Sequence, residues 1–468
     1  MHASSLAPPP TTTLSPPRMA YPPPPATSFL ASLLWLPFTI CCWISKLHVF
    51  NYRKHKTQIC ELFFHKHSIP YETITAVTSD KYVIKILHLP PPPRPSKGSK
   101  GSILFLHGMF ESAAMSLTHG TDSLPVLLAQ QGYDVFLGNV RGNMYGLTPG
   151  KLSPWDNKFW DFSIREHAAS DFPAMVDAIL KTTKHAKLTA VYGTSQGALV
   201  SLMGIAKNPR LNNKIKLLVA VSPALVLRQP NNFLVKLVFG SDPSYLGARQ
   251  YLCFATFTQI FVPDFVASFI AFLALAASGM AVREIDKKGA SFVMASTPSG
   301  FLPTHSMRMY VDILKQGKAF YTGGRGSECD FKKVKVPIGV FMGRDDCVLD
   351  VDESVDLLRN HYGGDVVHEV VLDGWGHCDL WYSVDSKTVI TEAVLELIDG
   401  YKEGEGEGEG EKGVPLDQSR VKVYWPEEKQ YFSGTANSPS KNAKKITVVY
   451  DDGDEETLDM REERWKYE

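Results

Sequence analysis

The feature that most constrains this sequence is the pentapeptide at residues 193–197 (GTSQG), the only G-x-S-x-G in the chain. It directly follows the apolar run 188–192 (LTAVY) and precedes the helix-like run 198–206 (ALVSLMGIA). A serine in a sharp strand-to-helix turn needs small neighbours on both sides, because the turn is tight and its backbone is strained. The pattern therefore predicts a strand, a turn that exposes the Ser195 hydroxyl as a nucleophile, and a helix.

Short apolar runs bounded by turn residues recur between residues 70 and 400, with helical patterns such as 171–181 and 196–205 between several of them. The strand-like runs are 82–88 (YVIKILH), 103–106 (ILFL), 134–137 (DVFL), 188–192 (LTAVY), 215–220 (IKLLVA) and 338–341 (IGVF). Strands that alternate with helices indicate a mostly parallel sheet covered on both faces. We expect residues 68–398 to form one α/β domain.

A serine hydroxyl needs a histidine to take its proton, and that histidine needs an acidic partner. In the α/β-hydrolase fold, which these patterns predict, the acid and then the histidine follow the serine along the chain. His377 lies in a glycine-flanked loop (GWGH) and is preferred to His361 and His368. Asp345 and Asp346 both come just after the strand-like run 338–341. Only one of two adjacent side chains can face the histidine, and Asp345 is the expected acid.

Hydrolysis of an ester also needs hydrogen-bond donors for the oxyanion of the tetrahedral intermediate. The loop His107-Gly108-Met109 follows the strand-like run 103–106, where this fold places its first donor loop. The backbone N–H groups of Met109 and Gln196 are the expected oxyanion hole. His107 is expected to shape that loop rather than to take part in the reaction.

The N-terminal 46 residues differ in composition from the α/β domain. Residues 1–25 are rich in proline, serine and threonine and are expected to be disordered. Residues 26–46 are apolar and about long enough to span a bilayer, so they are expected to be a membrane anchor. The basic residues that follow place the C-terminal side in the cytosol. Pro37 in mid-segment leaves open whether the anchor spans the membrane or forms a hairpin.

Two further segments interrupt or follow the α/β pattern. Within a predicted cap at about 225–330, residues 265–282 are uncharged, and we interpret them as an apolar lid helix rather than a second membrane span. A spanning helix there would separate the Ser195 and His377 regions. Residues 399–414 form a Gly/Glu linker. Residues 415–468 recover strand character and are expected to form a small all-β domain.

Composition excludes several classes of function. The 49 basic and 49 acidic residues balance, so the net charge gives no sign of a nucleic-acid partner. The seven cysteines are odd in number and lack metal-ligand spacing, and no N-glycosylation sequon occurs. These features favour a reducing compartment and a catalytic domain without a metal or other cofactor.

Several segments, in order, resemble the acid lipases, the family that includes gastric and lysosomal lipases and membrane-anchored steryl ester hydrolases. They are 107–112 (HGMFES), 132–143 (GYDVFLGNVRGN), 152–163 (LSPWDNKFWDFS), 171–177 (DFPAMVD) and GTSQG. The resemblance implies an α/β-hydrolase that cleaves lipid esters through an acyl-enzyme. By resemblance Ser195, Asp345 and His377 fall on the triad, and Met109 and Gln196 on the oxyanion hole.

The sequence departs from the secreted acid lipases, because Cys253 has no nearby partner for their cap disulfide and an uncleaved anchor is expected. The departures favour the steryl-ester-hydrolase branch, with a steryl ester or triacylglycerol as substrate. They also favour a membrane of the endoplasmic reticulum or a lipid-droplet surface as the location, with the catalytic domain in the cytosol.

The stretches 420–434 (RVKVYWPEEKQYFSG) and 448–465 (VVYDDGDEETLDMREERW) resemble Tudor domains, some of which bind methylated lysine or arginine in an aromatic cage. By resemblance Trp425, Tyr431 and Tyr450 fall on cage positions. A methylated protein would then be a partner. The alternative function is a catalytically weak scaffold or reader protein whose C-terminal module recruits that partner.

Overall fold

The computed structural model describes a defined part of the chain. The described residues are 59–93, 98–143, 145, 153, 156–228, 250–251, 279–286, 302–303, 305–306, 309–310, 314, 329–401, 419–425, 430–437, 445–458 and 465–467. The predicted disordered segment 1–25, the anchor 26–46, most of the cap and most of the linker 399–414 lie outside these residues. In the part of the chain so described, no helix has the length and apolar character needed to cross a bilayer.

The strands and helices alternate along most of the chain. The strands are β1 (Glu72–Val77), β2 (Val83–Leu89), β3 (Ser102–Leu106), β4 (Asp134–Gly138), β5 (Ala190–Thr194), β6 (Leu218–Val221), β7 (Gln250–Tyr251), β8 (Leu302–Pro303), β9 (Ile338–Gly343), β10 (Val366–Leu372), β11 (Ser419–Trp425), β12 (Gln430–Asn437), β13 (Ile446–Tyr450), β14 (Glu455–Leu458) and β15 (Trp465–Tyr467). The helices are α1 (Ile59–Lys66), α2 (Leu124–Gln131), α3 (Ile164–Glu166), α4 (Phe172–Thr183), α5 (Gln196–Lys207), α6 (Val351–His361), α7 (Asp379–Tyr382) and α8 (Val389–Gly400).

The central sheet has the strand order β1-β2-β4-β3-β5-β6-β9-β10. The contacts from β4 through β3, β5, β6 and β9 to β10 are parallel, whereas β1–β2 and β2–β4 are antiparallel. The predicted, mostly parallel sheet is confirmed. Because parallel strands end at the same edge, the loops after β3, β5, β9 and β10 converge there.

Two apolar cores cover the two faces of this sheet. Side chains alternate along a strand, so Leu104 and Leu106 of β3 face one side and Ile103 and Phe105 face the other. Helices α4, α5 and α6 pack on the first face, and α1, α2 and α8 pack on the second. Strands that are buried on both faces have near-continuous apolar sequences, which explains why β3 and β5 were recognisable without alternation.

The C-terminal strands form a small antiparallel sheet in the order β15-β11-β12-β13-β14. Its core is apolar and comprises Val421, Val423, Ala436, Ile446, Val448 and Tyr450. One antiparallel residue pair, Leu372 with Ser419, joins β11 to β10 at the edge of the central sheet.

Candidate active site

Ser195 lies at the apex of the turn between β5 and α5, as predicted. Its φ of +47° is in the left-handed region, which is strained for a residue with a side chain. The Ser195 N–H donates to the carbonyl of Val221 on β6 over 2.8 Å, which holds the turn in place. The two flanking glycines are required by close approach: a Cβ on Gly193 would lie 2.6 Å from the Ala198 nitrogen, and one on Gly197 would lie 2.4 Å from the Leu106 oxygen.

Ser195, His377 and Asp346 form a continuous hydrogen-bonded line. His377 Nε2 is 3.0 Å from Ser195 Oγ, and His377 Nδ1 is 2.6 Å from Asp346 Oδ2. A carboxylate can only accept, so Nδ1 carries the proton and donates it to Asp346. The unprotonated Nε2 then faces the serine hydroxyl. This is the tautomer that can take the proton from Ser195.

The expectation that Asp345 faces His377 is wrong, because the structure brings Asp346 there instead. The chain forms a turn at residues 344–345, directly after β9, and the two adjacent aspartates differ in burial. Asp345 is exposed, and its N–H donates to the carbonyl of Trp375 over 3.0 Å. Asp346 is fully buried, and its Oδ1 accepts from the N–H groups of Val348 and Leu349 at 2.8 and 2.9 Å. These hydrogen bonds replace those that the carboxylate would make to water, and so stabilise its charge in the interior.

The loop that carries His377 is held by a second buried carboxylate, Asp379. Asp379 accepts from the N–H of Gly376 at 2.7 Å, and from those of Val282 and Arg283 at 3.0 and 3.2 Å. The end of the apolar segment 265–282 therefore lies against this loop. The alternative His368 is in β10, where burial lowers the pKa of its imidazole to about 4.

The predicted oxyanion loop lies beside the serine. A Cβ on Gly108 would be 3.6 Å from Ser195 Cβ, so the residue before Met109 is in contact distance of the nucleophile. Gln196 is the first residue of α5, and the first N–H groups of a helix have no partner within the helix. The Gln196 side chain is buried and accepts from the Tyr310 hydroxyl over 3.0 Å. The oxyanion role of Met109 and Gln196 stays a prediction that this arrangement supports.

His107 shapes the loop, as the sequence suggested. Its Nδ1 donates to the carbonyl of Gly108 over 2.8 Å, and its Nε2 accepts from the side-chain amide of Asn143 over 3.0 Å. Burial lowers the pKa of His107 to about 4, so the ring is neutral near neutral pH.

Glu111, a buried carboxyl group on the same loop, was not predicted from the sequence. Glu111 accepts from the N–H of Gly108 over 2.8 Å and from the Tyr382 hydroxyl over 2.5 Å. Burial raises the pKa of Glu111 to about 7. The available signal was a single acidic residue two positions after Met109, in the stretch 107–115 (HGMFESAAM), which is otherwise free of acidic residues.

A second group of serine, histidine and aspartate lies elsewhere in the domain. His119 Nε2 is 2.9 Å from Ser386 Oγ, and His119 Nδ1 is 3.6 Å from Asp286 Oδ2. Ser386 is only 1% exposed, and its hydroxyl donates to the carbonyl of Ser383 over 2.8 Å. The described part of the chain therefore also brings the same three residue types together away from Ser195.

The three residues predicted to form a cage are spread over three strands of the C-terminal sheet. Trp425 is paired with Gln430 at the end of β11, and Tyr431 is on β12 opposite Tyr424. Tyr450 on β13 is 4% exposed and packs in the core of this sheet. The side chains of Trp425 and Tyr431 are outside the described part of the structure, so the cage stays a prediction.

Family models and curated relatives both match this chain to hydrolases and lipases. Residues 101–384 match the family described as alpha/beta hydrolase fold, and residues 60–120 match a partial alpha/beta-hydrolase lipase region. Human lipase member K is 25% identical over 359 residues, which cover 71% of this chain and 88% of that protein. Mouse gastric triacylglycerol lipase is 25% identical over 355 residues, covering 70% and 88%. Lipase 1 of Drosophila melanogaster is 25% identical over 381 residues, covering 76% and 82%.

Proposed function

This chain belongs to the α/β-hydrolase fold family, and from that premise we propose that it is a lipid ester hydrolase that acts through an acyl-enzyme on Ser195. The observation that carries the proposal is the line from Ser195 Oγ through His377 to the buried carboxylate of Asp346. The lipases among its relatives support an ester bond of a lipid as the target.

In the proposed mechanism, Ser195 Oγ attacks the ester carbonyl while its proton moves to His377 Nε2. Asp346 stabilises the imidazolium that forms and holds its ring in position. The oxyanion is stabilised by the N–H groups of Met109 and Gln196. His377 then gives its proton to the leaving alcohol, and the acyl group remains on Ser195. Water, deprotonated by His377, releases the fatty acid and restores the serine.

We propose a steryl ester or a triacylglycerol as the substrate, at a membrane or lipid-droplet surface. Gastric triacylglycerol lipase among the relatives supports the acylglycerol, and the resemblance to membrane-anchored steryl ester hydrolases supports the steryl ester. Both substrates are insoluble in water, so attachment through residues 26–46 would bring the site to them. The basic residues after that segment support a cytosolic catalytic domain.

The test compares hydrolysis of emulsified cholesteryl oleate, emulsified triolein and a soluble short-chain ester by the purified protein. We expect at least one emulsified ester to be cleaved, with activity lost in Ser195→Ala. A chain that begins at residue 47 should lose activity towards the emulsions and keep it towards the soluble ester. Cleavage of the soluble ester alone by the full chain would contradict a lipid substrate, and equal activities of the two chains on emulsions would contradict the anchor.

We also propose that residues 415–468 are a Tudor-like barrel that binds a methylated protein. The supporting observation is that β15 returns to pair with β11, as closure of a small barrel requires. A panel of methyl-lysine and methyl-arginine peptides should bind the full chain and bind Trp425→Ala more weakly. Equal binding of methylated and unmethylated peptides would contradict a cage.

A further inference from the structure

Glu111 links the two loops between which the proposed reaction takes place. The carboxyl group is on the oxyanion loop and is more than nine-tenths buried. One of its oxygens accepts from the N–H of Gly108, and the other accepts from the Tyr382 hydroxyl. Tyr382 is the last residue of α7, the helix that begins two residues after His377. A single side chain thus joins the oxyanion loop to the helix that follows the histidine.

The bond to Gly108 affects the direction of a predicted oxyanion donor. Glu111 fixes the peptide group before Gly108, and His107 Nδ1 fixes the peptide group after it by donating to the Gly108 carbonyl. That second peptide group also contains the N–H of Met109. Because a trans peptide is planar, its N–H points opposite to its carbonyl. Holding Gly108 on both sides therefore aims the Met109 N–H.

The close contact also explains the glycine at position 108. A Cβ there would lie 2.7 Å from Glu111 Oε2, closer than such atoms approach in proteins. The bond between Glu111 and the loop backbone thus requires a residue without a side chain.

The bond to Tyr382 connects Glu111 to the surroundings of His377. Helix α7 carries Asp379, which holds the N–H of Gly376, and Trp381, whose ring meets the His377 ring edge-on at a centroid distance of 5.4 Å. A displacement of Tyr382 would therefore be transmitted to the histidine through the short helix.

Glu111 and His377 also interact through their charges. The positive charge of His377 favours the ionised form of Glu111, against the burial that raises the pKa of this carboxyl to about 7. The other titratable groups that face Glu111 are Tyr192 on β5, Cys378 on the histidine loop and Tyr382 on α7. Burial raises the pKa of each of these three, so they are neutral near pH 7. By reciprocity, ionised Glu111 favours the imidazolium form of His377.

We propose that Glu111 is a positioning residue for ester hydrolysis, whose ionised carboxylate aims the oxyanion loop and stabilises the His377 imidazolium formed during each step. The inference rests on the proposed function and adds a residue to it. Both effects act mainly on the transition state, because the oxyanion and the imidazolium exist only after attack has begun.

The test is Glu111→Gln, which keeps the shape of the side chain but removes its charge and one of its two acceptor oxygens. We expect kcat to fall about tenfold with KM nearly unchanged, less than the roughly 10²–10³-fold cost of losing an oxyanion donor outright. Without the nearby anion the imidazolium of His377 is less stabilised, so the acid limb of the kcat/KM profile should move to lower pH. A merely structural Glu111 would not move that limb. Glu396→Gln on α8, the same exchange away from the site, should change neither kcat nor the pH profile.

Two further measurements distinguish a failure of the role proposed for Glu111 from a failure of the proposed function. The rate at which a fluorophosphonate labels Ser195 depends on the same loop and histidine but not on the lipid. If Glu111→Gln slows labelling and no lipid ester is cleaved by the unmodified protein, the proposed function fails and the role of Glu111 stands. If circular dichroism shows that Glu111→Gln does not fold, Tyr382→Phe breaks the link instead and should lower kcat less. The proposal would be overturned if the variant that folds has the kcat of the unmodified protein and the acid limb of its kcat/KM profile has not moved.

Discussion

Two groups of serine, histidine and aspartate in the described part of the chain can be compared, and only one of the two is arranged for catalysis. In the line Ser195–His377–Asp346, the carboxylate is fully buried and 2.6 Å from the imidazole. In the second group, Asp286 is 3.6 Å from His119 Nδ1, which is beyond hydrogen-bond distance, and its side chain is 30% exposed. The contact between imidazole and carboxylate is therefore longer and less shielded from water in the second group.

The hydrogen atoms of the two serines also point in different directions. The Ser386 hydroxyl donates to a backbone carbonyl, so it accepts from His119 Nε2, which then carries the proton. Such a histidine cannot take a proton from the serine. Ser195 instead presents its hydroxyl to an unprotonated Nε2, on a strained turn that leaves the side chain partly exposed. The two groups thus share their residue types and the short distance between serine and histidine. They differ in the tautomer of the histidine and in the exposure of the serine.

The largest contrast in kcat is expected when the two serines, Ser195 and Ser386, are replaced in turn. Ser195→Ala should lower kcat by roughly 10⁴–10⁶-fold, because no other atom in the line can form the acyl-enzyme. Ser386→Ala should leave kcat within about a factor of two, since its buried hydroxyl only bridges His119 and the backbone. The measurement is ester hydrolysis together with fluorophosphonate labelling. Labelling that persists in Ser195→Ala, or disappears in a folded Ser386→Ala, would remove the distinction between the groups.

Replacing the aspartates in turn should give a somewhat smaller contrast in kcat. In Asp346→Asn the side chain can still accept from Val348 and Leu349, but its amide would face His377 Nδ1 and favour the wrong tautomer. We expect kcat to fall about 10⁴-fold. Asp345→Asn and Asp286→Asn should stay within about threefold of the unmodified protein, since neither carboxylate bonds to His377. Initial rates at saturating substrate check this, and a larger loss in Asp345→Asn than in Asp346→Asn would restore the assignment made from sequence.

The parts of this site that were predictable are those determined by local sequence. The strand-turn-helix around Ser195 was recognisable because the glycines, the apolar strand and the helical run lie within about 20 residues of one another. His377 could be chosen because a glycine-flanked loop follows an apolar strand. The choice between Asp345 and Asp346 was not local: it depends on a turn whose geometry is fixed by contacts with Trp375, some 30 residues later.

Glu111 and Asp379 were not predicted for a related reason. An isolated carboxylate in a sequence gives no sign that it will be buried, and its partners here are backbone N–H groups, which every sequence contains. The burial of Tyr450 illustrates the same point, because an aromatic residue on a short strand fits a cage and a core equally well until its neighbours are known.

The bonds of Asp379 have a consequence for the order in which the protein folds. This side chain joins the histidine loop to Val282, 97 residues earlier in the chain. Contacts over such separations form late, because closing a long loop costs entropy before any contact compensates for it. The turn that carries Ser195 is tied instead to Val221, only 26 residues later. We therefore expect a newly made chain to shape the turn of its nucleophile before the base that would activate it is anchored.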